Sequence, residues 1–173
     1  MVIINKPGSD DPQFDQQLLV EEIMGKWHVV RSSLPMWKGK KDVTLTYTPI
    51  KPTTDPLSFK DLVEYRGEGK PATSTPSSVK GVDHQQGAAR FEWRGSGWLK
   101  IATSKWELIG YGGQWAVSFF AKTLFTPAGI DILVRTPGEL ADDVLDGIAR
   151  DIVAVGGDVG ALAHGLFAVP ISV

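Results

Sequence analysis

The chain contains no cysteine, which removes disulfides, thiolate metal sites and cysteine nucleophiles from consideration. Histidine is scarce as well. His28, His84 and His164 lie far apart, and no two of them have the spacing of a zinc motif. The net charge is only -2, so the basic face that a nucleic-acid partner calls for is missing. No stretch approaches the roughly 18 consecutive apolar residues of a membrane span, and stable membrane insertion is not expected. A Gly-x-Ser-x-Gly nucleophile elbow is absent, and Arg94-Gly95-Ser96-Gly97 reads as a turn between strands. Gly110-Tyr111-Gly112-Gly113 is a hairpin turn rather than a phosphate loop that opens a helix. Metals and cofactors are therefore not expected. The opening residues Met1-Val2-Ile3-Ile4-Asn5-Lys6-Pro7-Gly8 lack the apolar core and cleavage site of a signal peptide. With the missing cysteine, this gives a cytoplasmic expectation.

What the chain does have is short alternating segments. At 173 residues it reads as one domain, with residues 1–12 as a loose tail and 13–173 as the folded unit. A short helix is expected from Gln13 to Met24, with Leu18, Leu19, Ile23 and Met24 on one side, stopped by Gly25. Strands are expected over 27–31, 43–48, 57–65, 77–84, 89–94, 98–103, 106–111, 115–121 and 130–135. The turns between them are rich in Gly, Pro and Ser. Eight or nine consecutive strands with short turns form an up-and-down barrel, in which closure removes the exposed edges. Eight strands leave room for one small ligand. After Pro137-Gly138-Glu139, Leu140, Val144, Ile148 and Ile152 recur at four-residue spacing, which predicts a helix packed outside the barrel and ending near Gly156-Gly157. Phe167-Ala168-Val169 is a candidate short final strand.

Two distant segments carry a more specific signal. Gly25-Lys26-Trp27 opens the first strand, and Ile132-Leu133-Val134-Arg135-Thr136-Pro137 closes the last strand before the helix. The chain resembles the lipocalins of the calycin superfamily, most of all the bacterial and plant type. The resemblance implies an all-β fold: an eight-stranded antiparallel up-and-down barrel with a C-terminal helix outside. It also implies that Trp27 and Arg135 stack as a plug at the closed end, a structural role rather than a catalytic one. The chain departs from the family at the turn of Gly110-Tyr111-Gly112-Gly113, where the second lipocalin signature has Thr-Asp-Tyr. That departure leaves the partner contacts made at this end of other members in doubt.

Alternation then assigns the inward faces. With Trp27 inward, Val29 and Arg31 follow. With Arg135 on the same side, so do Leu133 and Asp131. The apolar sets Val43, Leu45 and Tyr47, and Ala89, Phe91 and Trp93, point the same way. The resemblance adds Ala116, Ser118 and Phe120. For the strand over 106–111 two faces stay open, Glu107, Ile109 and Tyr111 or Trp106 and Leu108. The connection Pro35-Met36-Trp37 reads as an apolar lid. The expected ligand-binding residues are thus Val29, Trp37, Val43, Leu45, Tyr47, Phe91, Trp93, Tyr111, Ser118, Phe120 and Leu133.

Asp131 is the most informative carboxylate. A charge in a low-dielectric calyx is costly unless paired, so its pKa rises or a cation sits nearby. Facing inward it is a candidate general acid or a ligand anchor; with the register slipped by one it is a surface aspartate. Arg31, Asp61 and Glu107 carry the same two readings. Asp131 and Arg31 are the candidate catalytic pair. The partner is a hydrophobic small molecule, and the protein is a monomer or homodimer. Two functions stand side by side: a carrier of fatty acid- or isoprenoid-like ligands, and a cofactor-free cyclase or isomerase acting on a polyketide- or isoprenoid-like substrate. The second needs only a shaped chamber and one or two polar groups, here Asp131, Arg31, Tyr47 and Tyr111. A third role, the stress-protective lipid binding implied by the bacterial and plant resemblance, ranks below them, because the chain has no cysteine for a lipid anchor.

Overall fold

A computed structural model describes residues 2–9, 16–51, 57–97 and 100–172. A helix, α1 (Gln16–Ile23), leads into strand β1 (Gly25–Ser32). Seven strands follow as a meander: β2 (Lys40–Pro49), β3 (Ser58–Gly67), β4 (Ser77–Gly87), β5 (Arg90–Gly95), β6 (Thr103–Tyr111), β7 (Trp115–Phe120) and β8 (Gly129–Val134). Each pairs antiparallel with the next, and β1 pairs with both β8 and β2, so the sheet closes. Two helices, α2 (Asp142–Val155) and α3 (Gly157–Ala163), and a short strand β9 (Phe167–Ala168) complete the described chain. The architecture is the expected barrel with its helix outside.

Closure is uneven, and the C-terminal segment mends it. Only Gly25 to His28 of β1 pair with β2. Farther along, β9 pairs with Arg31 and Ser32. Val169 N–H then donates to the Val30 carbonyl at 2.9 Å, and Asp42 N–H donates to the Pro170 carbonyl at 2.9 Å. Asp42 adopts a left-handed φ of 54°, which aspartate tolerates better than most residues. Its carboxylate accepts from Ser172 N–H at 2.6 Å and from the Ser172 hydroxyl at 2.9 Å. The edge that β1 and β2 would otherwise expose is thereby covered.

Two apolar layers follow from the alternation. The inner one fills the barrel with Trp27, Val29, Val43, Leu45, Tyr47, Phe59 and others. The outer one sits between the sheet and α2, where Ile109, Val117, Ile130, Ile132 and Val134 meet Leu145, Ile148 and Ile152. Strand β8 is buried on both faces. The stripe of α2 differs from expectation: Val144 is exposed and Leu145 takes its place. The helix begins only at Asp142, so Leu140 precedes it and the buried positions run 145, 148 and 152. Residues 2–8, read from sequence as part of a loose tail, lie against β6. Asn5 N–H donates to the Ile109 carbonyl at 2.7 Å, and Val2 and Ile4 pack into the outer layer. Within the expected strand over 98–103, residues 98 and 99 lie outside the described residues, and 100–102 form a turn before β6 begins at Thr103. Of the expected helix from Gln13 to Met24, residues 13–15 likewise lie outside them.

At the closed end the Arg135 guanidinium carbon stands 3.6 Å above the Trp27 ring centre. Its nitrogens donate to the carbonyls of Lys26 and Glu22, while the Trp27 indole donates to the Ile23 carbonyl at 2.8 Å. One plug therefore ties α1, β1 and the end of β8 together. Gly25 is what lets them meet: its φ is +94°, and a Cβ there would lie 3.3 Å from Arg135 Nη1. Gly25→Ala is expected to destabilise the protein by about 1–3 kcal/mol through this strained backbone conformation. Urea unfolding of the two proteins side by side measures it, and an unchanged midpoint would contradict the assigned role.

Candidate ligand cavity

Below the mouth of the barrel lies a cavity of about 220 Å³. Trp106 and Tyr47 line it and belong to an aromatic stack that continues into the barrel core. Trp106 lies parallel to Phe91, centroids 4.4 Å apart, and to Tyr47, centroids 5.8 Å apart; Phe59 meets both Tyr47 and Phe91 edge-on. Leu45, Val63, Val79, Trp93 and Phe120 form the apolar wall. Gly81 makes the place of Trp93 possible, because a Cβ at residue 81 would run into the indole ring at 2.2 Å. The lid residues Pro35–Trp37 form a 3-10 turn, with Trp37 buried and Met36 half exposed. Phe125 lines the opposite lip and is largely exposed, as is Leu124 beside it.

The sequence-derived site residues divide into groups. Trp37, Leu45, Tyr47, Trp93, Phe120 and Asp131 line the cavity. Val29, Val43, Phe91 and Leu133 point into the barrel but belong to its packed core and lie outside the cavity wall. Ser118 is buried opposite Asp131 in the β7–β8 register. Tyr111 lies at the base, its ring edge-on to Trp27 at 6.4 Å, rather than in the cavity.

Arg31 is a correction. The β1–β8 register slips between Val29 and Arg31, so Arg31 pairs with Ile132 of the outer layer. Its guanidinium forms a 2.7 Å ion pair with Asp146 on the outer helix. A bulge inserts one residue and reverses every side chain beyond it, and Ser32 takes the inward position instead, opposite Asp131. The same device resolves the strand over 106–111. A bulge between Leu108 and Gly110 leaves Trp106, Leu108 and Tyr111 inward and Ile109 outward. Glu107 also points outward and accepts from Gly8 N–H at 2.8 Å.

Among the described residues three carboxyls lie inside the barrel: Asp61, Asp83 and Asp131. Asp131 accepts from the Trp37 indole at 3.3 Å on one oxygen, and its other oxygen, Oδ1, has no partner. Asp83 accepts from the Trp106 indole at 2.7 Å, leaving Oδ2 without a partner. Asp61 Oδ1 is unpartnered too. In the β3–β4 register Asp61 faces Gly81 and Phe59 faces Asp83, so the two acids are diagonal neighbours on the inner face. Burial pushes Asp131 up to about 7 against the pull of the Ser32 hydroxyl and the Trp37 indole. Asp83 is pushed up to about 7 by burial, opposed by the Trp106 indole. Burial, then the charge of Asp83, holds Asp61 well above the usual carboxylate range. Tyr47, buried and facing all three acids, is raised further above the phenol value. Among the described residues lining the cavity there is no Lys, Arg or His, and no described group of three or more His, Asp or Glu side chains is arranged to hold a metal ion.

Asp83 and Trp106 escaped the sequence reading as site residues. On β4 the inward positions are Val79, Gly81, Asp83 and Gln85 while Val82 faces out, so beyond Gly81 the pattern is the reverse of an apolar-inward one. His84, on the outward face, bonds through Nδ1 to the Ser58 hydroxyl at 2.9 Å.

The raised carboxyls fix the sign of a pH dependence. Between the ordinary value of 3.8 and about 7 the folded protein holds protons that the unfolded chain gives up, so stability falls as pH rises through this window. Asp42 acts in the opposite sense but lower. Its partial burial is outweighed by the Ser172 bonds and Arg66, its value is lowered, and its contribution is lost only in acid. The urea midpoint is expected to drop from pH 5 to pH 8, and to drop less in Asp131→Asn. A midpoint that rises over this range would contradict the assignment.

No protein-family model matches the chain, and no curated protein does. Solved structures do. Apocrustacyanin C1 is similar over 99% of this chain and 92% of its own, with 11% identity and a TM-score of 0.64. Apocrustacyanin C2 is similar over 99% and 91%, with 12% identity and a TM-score of 0.58. The siderocalin Ex-FABP, described as functioning through dual ligand specificities, is similar over 88% and 96%, with 13% identity and a TM-score of 0.55. At such identities the likeness establishes the fold: this chain has the lipocalin fold.

Proposed function

We propose that the barrel binds one small hydrophobic molecule in the cavity beneath the Trp37 lid, with a polar group of the ligand set against Asp131. The observation that carries this reading is a void of about 220 Å³ walled by aromatic and aliphatic side chains, with unpartnered carboxyl oxygens on residues of its lining. A dry cavity of about 150 Å³ is enough to hold benzene, so by proportion this one takes on the order of ten heavy atoms. Drug-sized ligands occupy about 300–1,000 Å³. The ligand is therefore compact, or leaves by the mouth between Met36 and Phe125. Isothermal titration with octan-1-ol is expected to give one site per chain. Val63→Phe, which fills the wall, is expected to weaken that binding at least tenfold; undiminished binding would place the alcohol elsewhere.

A second reading, mass-neutral catalysis, is favoured by one observation: Asp131 is a buried carboxyl in the lining of the apolar chamber, and that burial pushes it up to about 7. At neutral pH such a group is partly protonated, and it suits proton donation to a substrate held in a reactive shape. Trp37 positions it by bonding to Oδ2, which leaves Oδ1 without a partner. With Arg31 outside the barrel, the proposed catalyst is Asp131 alone, and Tyr47 shares the cavity lining with it. Extract of the producing cell, incubated with wild type and with Asp131→Asn, distinguishes catalyst from carrier. Isomerase or cyclase action converts one compound into another of equal mass with wild type only. A carrier leaves the mass profile of both samples unchanged.

A further inference from the structure

The chamber has more acid than a neutral ligand needs. Asp61, Asp83 and Asp131 are at most 8% exposed, and each keeps one oxygen without a partner. Sequestered carboxylates normally meet a cation, and unpaired ones are expensive. The one described guanidinium near the interior, Arg135, is committed to the Trp27 face and two backbone carbonyls at the closed end. Arg31, which would have supplied a cation had it pointed inward, is held outside by Asp146.

We infer that the ligand brings the missing cation: an apolar molecule with one basic nitrogen, held as an ammonium by the carboxyls of the cavity lining, Asp61 and Asp131. This deepens the proposed binding function and rests on it. Tyr47 is opposite Asp61 across β2 and β3, Asp83 is diagonal to Asp61, and Asp131 enters the same cavity from β8. The acids differ in what holds them. Asp83 and Asp131 are each steadied by an indole N–H on one oxygen, so the free oxygen has a fixed direction. The walls suit an organic cation rather than a bare ion. Trp37 and Trp93 line the cavity, and indole rings attract a cation, while the aliphatic lining matches a hydrocarbon body. The proton balance is simple: a neutral amine takes the proton of a carboxylic acid, or an ammonium replaces a proton that leaves to the buffer. No covalent bond changes.

Three probes of matched length separate this inference from the reading beneath it. Octylamine, octan-1-ol and octanoate are titrated calorimetrically into the wild-type protein at pH 7. The inference predicts that octylamine binds at least tenfold more tightly than octan-1-ol, and that octanoate binds most weakly. In Asp61→Asn and Asp131→Asn the ratio of amine affinity to alcohol affinity is expected to fall to about threefold or less. Equal affinity for amine and alcohol in the wild type, or a preference for octanoate, would overturn the inference and leave the hydrophobic-ligand reading standing. Binding of none of the three would overturn both. The wild-type comparison decides the matter even if a variant fails to fold.

Discussion

Closing the sheet on β1 is the constraint from which the rest follows. Once β1 pairs with β8 on one side and β2 on the other, every second side chain enters a space shut off from water. Most of these positions carry aliphatic or aromatic residues, which gain from the transfer. Three carry aspartate, which does not. The barrel is stable enough to hold them because the Trp27–Arg135 plug, the C-terminal segment bound to Asp42 and the helix packed on β8 all lie outside the cavity. Stability and binding chemistry are thus housed at different levels of one cylinder. The base and outer face fix the shape, and the upper half is left open.

Much of this arrangement was legible in the sequence. The Trp27–Arg135 pairing set the parity of the first and last strands, and it placed Asp131 inward with no further help. Alternation placed Leu45, Tyr47 and Trp93 on the cavity wall for the same reason. It failed at bulges. One inserted residue beyond Val29 turned Arg31 outward and Ser32 inward, and another beyond Leu108 put Tyr111 on the same side as Trp106. Strict period-two reading has no means of seeing an extra residue.

Asp83 was hidden for a different reason. Hydrophobic patterning assumes that the inward face is the apolar one, and in the second half of β4 it is not: Val82 faces out while Asp83 and Gln85 face in. Local rules break where a site is built at some expense to stability. The inversion on β4, the unpartnered oxygens and the lack of a lining cation are one feature seen three ways. They distinguish this interior from a purely apolar one, and they give the chamber a sign of charge as well as a shape.

The central claim is that these buried carboxyls lack a counter-charge in the free protein. Its most direct measurement is an NMR titration of the aspartate side-chain carboxyl carbons in the unliganded wild type. Asp83 and Asp131 are expected to titrate near pH 7, and Asp61 to be displaced upward as well. Titration of all three below pH 5, in the ordinary aspartate range, would show that water or a protein cation already satisfies them, and would contradict the account.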